Sequence, residues 1–460
     1  MWKKAINQIW SLNRVHVSEE TTKAYRILKK IYAGVKILKF NTGKSYQGWS
    51  VPKSWDVVHA FLKDPKGKKI ADFKKDKLIL WTNSISFKGK ITLEKLKKKI
   101  LFNKENPNAV MFHFRNQYTH EKKEWGFSLP YNLVKKLKKG NYQVDIKTKF
   151  TKGNLEMAED FIKGKNKESL LFVGHFDHPQ QTIDGLSSCI AIHEAFRQLK
   201  KKKTKLSYVG LSTIEIIGSV FYSKYFLKKR NIKQAIFMAG AGLKKPYIYQ
   251  NSFKKNSFID RITKHILKFY LYGENAKIYD FRKGQFGNDE ISFDVGGINV
   301  SCGSLMTELF KEYHTNFDTP KLIDNSKFQE RIQIIKDLIF ICENNFLIKR
   351  KFKGLPRLSA PKYKLYMSPD DVSGMENKKI FEFGKDNLLN NLSPQIIKYL
   401  NKNNDKLNYL MNSIPNLAEG NKTIFEIAEF VELPFNFVLN YLKLWEQKKL
   451  ITMTWKNPLR

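Results

Sequence analysis

The segment Gly174-His175-Phe176-Asp177-His178-Pro179, followed by Ile183-Asp184-Gly185-Leu186-Ser187-Ser188, sets imidazole and carboxylate groups at the end of an apolar run. A strand ending this way presents them at the carboxyl edge of a parallel sheet, where open α/β folds bind their ligands. The Asp-Gly-Leu-Ser turn caps the next helix and brings Asp184 to the same edge. Neutral imidazole with carboxylate suits Zn²⁺, and a further carboxylate close to a ligating His orients it from behind. Any one of these residues alone reads as part of a capped loop. His175, Asp177 and Asp184 together on one strand end favour a metal.

The next apolar run closes on Ser212-Thr213-Ile214-Glu215, and Ile216-Ile217-Gly218-Ser219 opens a helix. A Glu inside so apolar a run is costly to bury unless it has a partner or a task. At the end of the adjacent strand it would serve as a metal ligand or as the general base for a metal-activated water. Far along the chain, Lys311-Glu312-Tyr313-His314-Thr315-Asn316-Phe317-Asp318 precedes a helix. As a lone loop residue His314 says little, but it supplies the missing imidazole of a three-ligand site.

The elements that must position these groups are legible as texture. The first forty residues read as amphipathic helix, with a break near Asn41-Thr42-Gly43. From Gly48 to about Phe127 the pattern is β-like, including Lys77 to Trp81 and Val110 to Phe114, and marks a small separate unit whose core would take Trp49, Trp55 and Trp81. Beyond Lys147, apolar strands alternate with helical stretches: strands at Leu170 to Gly174, Leu206 to Leu211, Ala235 to Ala239 and Ile298 to Ser301, helices at Ser187 to Leu199, Gly218 to Leu227 and Asp260 to Tyr270. This is the signature of an α/β sheet with crossover helices. A helix ending near Lys349 leads into a Pro-, Ser- and Lys-rich linker. Helices over Ile424 to Phe430 and Phe435 to Gln447, then a strand over Leu450 to Trp455, are what a winged-helix domain offers. Its second helix carries little basic charge for reading a major groove, so protein packing is the expected role.

The chain has 460 residues, 42% hydrophobic and 13% aromatic, enough for two or three domains around sizeable cores. Its first twenty residues lack the apolar core of a signal peptide, and no stretch approaches the roughly 20 apolar residues of a membrane span, so a soluble, cytoplasmic protein is expected. The three cysteines, Cys189, Cys302 and Cys342, are odd in number and far apart. They make neither a disulfide framework nor a thiolate zinc cluster, and read as buried side chains in a reducing compartment. The formal charge of +40, from 83 basic and 43 acidic residues, raises nucleic acid or an anionic membrane as partner. Lysine dominates arginine, however, alongside abundant Asn, Ile and Phe, the bias of a low-GC genome. The runs at Lys97 to Lys99, Lys135 to Lys139 and Lys200 to Lys203 resemble solvated helix ends, not a groove with interleaved aromatics. The expectation is a solvated surface without a nucleic-acid partner; a homo-oligomer is compatible with it.

Ordered motifs run through nearly the whole chain: Gly48 to Trp55, Trp125-Gly126-Phe127, His175 to Pro179, Asp184, Glu215 to Ser219, Asp289-Glu290, Gly303 to Met306 and Glu312 to Thr315. In these the sequence resembles bacterial aminopeptidase-like proteins of the zinc exopeptidase clan that includes bacterial leucyl aminopeptidases, with an inserted small domain and a C-terminal winged helix. The resemblance implies a mixed sheet flanked by helices. It implies an N-terminal helical part of the catalytic domain over 1–45, a β-rich insert over 46–127, the zinc domain over 128–352, a linker over 353–378 and the winged helix over 379–460. It makes His175, Asp184 and His314 metal ligands, with Asp184 the bridge where two zinc ions bind, Asp177 the support of His175, and Glu215 general base or ligand. Asp289, Glu312 and Tyr313 are the candidates for substrate binding.

Two departures qualify the resemblance. The clan has adjacent Glu residues where this chain has Glu215 alone, and Gly240-Ala241-Gly242 stands where a further carboxylate is expected. One zinc, or an altered second site, follows. Zinc would polarise an amide carbonyl and lower the pKa of its water from about 15.7 to about 7, while Glu215 moves the proton to the leaving amine. The expected activity is amide hydrolysis on a peptide, a small amide or an N-acyl sugar, the last because such proteins resemble surface-polysaccharide components. The rival reading is a catalytically degenerate peptidase fold with a binding or regulatory role through its winged helix.

Overall fold

The computed structural model describes residues 1–283, 288–367, 388–389, 392–403 and 405–460. The chain divides into two compact units, one of residues 1–255 and 277–333, the other of 256–276 and 334–460.

The first unit is built on an eight-stranded mixed sheet. Its centre is four parallel strands in the spatial order Ser207–Thr213, Ser169–His175, Ile232–Met238 and Ser301–Thr307. Continuous apolar sequence such as Leu170-Leu171-Phe172-Val173 suits a parallel strand covered on both faces, and every residue of Ser169–His175 is buried. The helices Leu186–Leu199 and Ile217–Arg230 follow directly from the strand ends that carry the candidate site. Antiparallel pairing adds Asn154–Ile162 and Lys36–Asn41 beyond Ser207–Thr213, and Tyr247–Gln250 beyond Ser301–Thr307; Lys277–Tyr279, parallel to Tyr247–Gln250, is outermost. The mixed sheet flanked by helices is as expected, but the N-terminal forty residues are two helices, Trp2–Ile9 and Glu19–Ile31, and then the edge strand Lys36–Asn41.

A four-stranded antiparallel sheet in the same unit has the order Lys69–Asp72, Ser54–Lys63, Asn141–Thr151, Phe87–Thr92. It continues well past Phe127. Asn141–Thr151 alternates buried Tyr142, Val144 and Ile146 with outward polar residues, and returns the chain to the main sheet only at Asn154. Trp55 is in this core, whereas Trp49 and Trp81 are half-buried. The Trp81 ring lies flat on Gly126, where an added Cβ would come within 2.4 Å of it. Of the segments read as β, Lys77–Ile79 is a 3-10 turn and Val110 to Phe114 pairs only through a bridge from Met111 to Thr315.

In the second unit, strand Phe346–Arg350 pairs antiparallel with both Glu419–Thr423 and Ile451–Trp455. The expected helix up to Lys349 therefore stops at Glu343, because the residues after it are claimed by a sheet on both edges. Helices Ile424–Phe430 and Phe435–Gln447 and strand Ile451–Trp455 lie where the sequence pattern puts them. The linker read over 353–378 lies, beyond Met367, outside the described residues. Among the described residues no helix is long and apolar enough to cross a membrane.

Candidate metal centre

Asp184 stands at the middle of the site. Its Oδ1 lies 3.1 Å from His175 Nε2, and its Oδ2 lies 3.0 Å from His314 Nε2 and 3.9 Å from His178 Nε2. His178 in turn faces Glu215, Nε2 to Oε2 at 3.3 Å. Three imidazoles and two carboxylates from three separate stretches of chain therefore converge, and all but Glu215 and His314 are almost wholly buried.

Local backbone produces this arrangement. His175 is the last residue of its strand, and the chain then turns through His178 at φ +85°. Gly185 sits at φ +91°, and a Cβ there would meet His175 Cδ2 at 2.2 Å, so only glycine lets Asp184 fold back against the imidazole. The buried Arg14 guanidinium donates to the carbonyls of Phe176 and Gln181, holding both ends of the loop. Asp318, four residues after His314, accepts the backbone N–H groups of Ile183 (2.7 Å) and Asp184 (3.0 Å), tying the two ligand-bearing loops together.

Asp177 is placed differently from expectation. Its Oδ1 accepts the Glu215 N–H at 2.9 Å and its Oδ2 lies 3.6 Å from His16 Nε2, so it holds the Glu215 turn. The carboxylate behind His175 is Asp289, 3.6 Å from Nδ1, the nitrogen turned away from Asp184. Asp289 and Glu290 are both buried. Ala241 contributes no donor to the site; its N–H donates to Ser188 Oγ. Tyr313 stacks on His314 with ring centroids 4.0 Å apart and lines a shallow cleft together with Asp184, Gly240, Met306 and Thr307. Glu312 is half-buried, and its carbonyl accepts from Thr315 to close the turn that carries His314.

Burial opposes every charge here, yet neighbouring imidazoles hold Asp184 well below the usual carboxylate range and Glu215 at about 2. Both are therefore anions at neutral pH, the state that binds a cation. Burial lifts Asp177 to about 6 and Asp318 to about 7. His178 Nδ1 is buried without a hydrogen-bond partner among the described residues, while Asp184 Oδ2 and His178 Nε2 are engaged only by each other and by His314 and Glu215. Buried polar atoms left this way are costly unless something else engages them. His175, His178 and Asp184 present ligand atoms within 4.8 Å of one another, as do Asp177, His178 and Glu215. This nitrogen and oxygen donor set fits a borderline divalent ion such as zinc.

Sequence reasoning overlooked four contributors. His178 was visible in the His175 to Pro179 run but indistinguishable from a turn residue. Asp318, His16 and Tyr118 carry no local signal at all. Tyr118, at the end of the short helix Arg115–Tyr118, lies near enough to Glu215 for burial, then that carboxylate's charge, to raise its phenol above the ordinary range. The preceding residues also wall the site, with the Phe112 ring 5.1 Å from that of His178 and 5.4 Å from that of His314.

Residues 3–345 match the family described as a domain of unknown function, DUF4910. The chain belongs to that family. It is 28% identical over 346 residues to a Clostridium acetobutylicum protein named as a candidate polysaccharide biosynthesis protein with an aminopeptidase-like domain, covering 74% of this chain and 77% of that one. Among solved structures it is similar to a candidate peptidase of Clostridium acetobutylicum, at TM-score 0.81 and 24% identity over 98% of this chain and 96% of that one. It is also similar to a zinc aminopeptidase of Bacillus subtilis, at TM-score 0.53 and 14% identity over 74% and 94%. This member of the DUF4910 family thus has an aminopeptidase-like fold and a His/Asp cluster suited to a metal.

Proposed function

We propose that this chain is a zinc-dependent, aminopeptidase-like hydrolase of amide bonds. The observation that carries the reading is the convergence of His175, His178 and His314 on Asp184, with Glu215 alongside. His175, Asp184 and His314 would hold the ion, with His178 completing the donor set, and Asp289 fixes the His175 ring from Nδ1. When bound, the ion supplies the Lewis acidity that polarises an amide carbonyl and acidifies water. Glu215 takes the water's proton and hands it to the leaving nitrogen. Asp177, through the Glu215 N–H, positions that base. Tyr313, lining the cleft beside Asp184, contacts the acyl part of the substrate. The amide is a peptide, a small amide or an N-acyl sugar; the name of the Clostridium relative supports the last. A reducing, cytoplasmic setting agrees with three buried free cysteines.

Near-stoichiometric zinc is expected by elemental analysis of the purified chain, and His175→Ala, Asp184→Asn and His314→Ala should each abolish it. Zinc-free native protein would sink the site. In a screen of aminoacyl and N-acyl-sugar amides, Glu215→Gln should lower kcat by about 10²–10⁴-fold with zinc retained. Unchanged turnover would remove Glu215 from its role.

A second reading, a catalytically silent fold with a binding role through a winged-helix-like C-terminal module, is favoured by one observation, the absence of a carboxylate at Ala241. Zinc bound without any turnover in that screen would select it.

A further inference from the structure

Asp184, at the middle of the metal centre, is also a wall of the shallow cleft that continues from it. Met306, Leu309, Phe310 and Tyr313 supply apolar and aromatic walls, and Glu308 a further carboxylate. Tyr313 joins the cleft to the centre through its stack on His314, and the Phe310 ring meets that of Tyr313 edge-on, with centroids 5.9 Å apart. Glu215, which in the proposed reaction serves the leaving nitrogen, is not one of the lining residues. Asp184, which would hold the ion that polarises the carbonyl, is one. The substituent that reaches this cleft is therefore the one on the carbonyl carbon, the acyl part of the amide.

The charge state of the walls decides what that acyl part can be. An aminopeptidase substrate carries an ammonium on the carbon next to the carbonyl, and such a cation needs a free carboxylate once its water is removed. Asp184 and Glu308 are the two acidic residues among the described walls. Asp184 is taken, with His175 3.1 Å from Oδ1 and His314 3.0 Å from Oδ2. So is Glu308, whose Oε1 lies 2.6 Å from Lys277 Nζ while its N–H donates to the Pro246 carbonyl at 3.0 Å. Lys277 opens the outermost strand of the main sheet, Lys277–Tyr279, and so sets a cation against the cleft's own carboxylate. Glu312, the other candidate partner for an amine, is not among the walls. An ammonium here would lose hydration, gain no free partner and meet the charge of Lys277, whereas a methyl group packs on Met306, Leu309 and Phe310. Resting on the hydrolase reading above, we infer that this chain takes amides with neutral acyl groups, that is N-acyl compounds, and discriminates against free aminoacyl groups. Lys277, by neutralising Glu308, is the residue that sets this specificity.

The test uses the full-length zinc-loaded chain and two amides matched in shape, isobutyramide and L-alaninamide, which differ by a methyl in place of an ammonium. At about pH 6.5, where the amine is a cation, isobutyramide should bind at least about tenfold more tightly by ligand-observed NMR. Equal or tighter binding of L-alaninamide, or binding of neither, would overturn the specificity. Lys277→Met, which leaves Glu308 unpaired, should narrow the difference by about two- to fivefold with zinc content unchanged. Leu309→Glu, which adds a carboxylate to the wall at a residue already 42% exposed, should narrow it independently. A difference untouched by both variants would count against the cleft as the selecting element and sink the inference. A further loss of L-alaninamide affinity in Glu308→Gln would show that Glu308 already receives the ammonium, with the same consequence. In turnover, isobutyryl p-nitroanilide should exceed L-alanyl p-nitroanilide in kcat/KM by about tenfold or more; the reverse order would overturn the specificity and leave the hydrolase standing. A Lys277-dependent preference for isobutyramide with no hydrolysis of any amide would retain the neutral cleft and refute the hydrolase reading instead.

Discussion

Gly185 and Asp289 show how narrowly the site is specified at the scale of single residues. The left-handed backbone at Gly185 and the 2.2 Å approach a Cβ would make to His175 act on the same imidazole. Gly185→Ala should therefore cost roughly 1–3 kcal/mol through backbone strain alone and displace His175, lowering zinc content as well as the unfolding midpoint. Asp289 works through orientation, meeting Nδ1 of His175 while Nε2 faces Asp184. Asp289→Asn should keep the fold and weaken zinc by about 10–100-fold, read by competition with a chromogenic chelator. Affinity equal to wild type would place Asp289 outside the metal's support.

At the scale of elements, strand ends and the turns after them do most of the positioning, and one helix junction in the second unit carries a pH dependence. His265, on helix Phe258–Phe269, accepts the Phe435 N–H through Nε2 at 3.0 Å, at the start of helix Phe435–Gln447. Burial drives its pKa from 6.5 down to about 3. Its folded value is depressed, so above pH 6.5 both states are neutral and the stability is complete. As pH falls from 6.5 towards 3 the unfolded chain takes up a proton that the folded one refuses, and stability falls by about 1.4 kcal/mol per pH unit. His265→Gln keeps an acceptor for the Phe435 amide and removes the titration. Denaturant midpoints between pH 7 and 4 should fall less steeply in the variant; parallel curves would show that His265 is not the group responsible.

For the whole molecule, the +40 charge has the largest range of action, yet it does not by itself make a nucleic-acid protein. Helix Phe435–Gln447 buries Phe437, Val438, Tyr441, Leu442 and Trp445, leaving little basic surface to read a groove. Any retention of arbitrary duplex DNA at about 0.05 M salt should therefore be lost by about 0.15 M, in a filter or gel assay across ionic strength. Binding that persisted at the higher salt would promote a regulatory role.

The sequence by itself determined the strand-turn-helix units and the residues at their ends. His175 and Glu215 are polar ends of apolar runs, a contrast that local pattern records, whereas Asp184 and His314 stand in polar loops and gain meaning only beside them. The helices at Ile424–Phe430 and Phe435–Gln447 were legible for the same reason, through periodicity over several turns. What only the tertiary structure decided depends on contacts between distant stretches. Phe346–Arg350 is a strand because two partners pair with it, and Asn141–Thr151 belongs to the small sheet because Ser54–Lys63 and Phe87–Thr92 flank it. Asp289 stands behind His175 in place of Asp177, and Tyr118 comes near Glu215 from a distant stretch of chain. Spacing along the chain shows that a carboxylate or a phenol is available. Which imidazole or carboxylate it meets is set by how the sheet edge, the insert and the loop around His314 pack, where a shift of a few ångströms exchanges one partner for another.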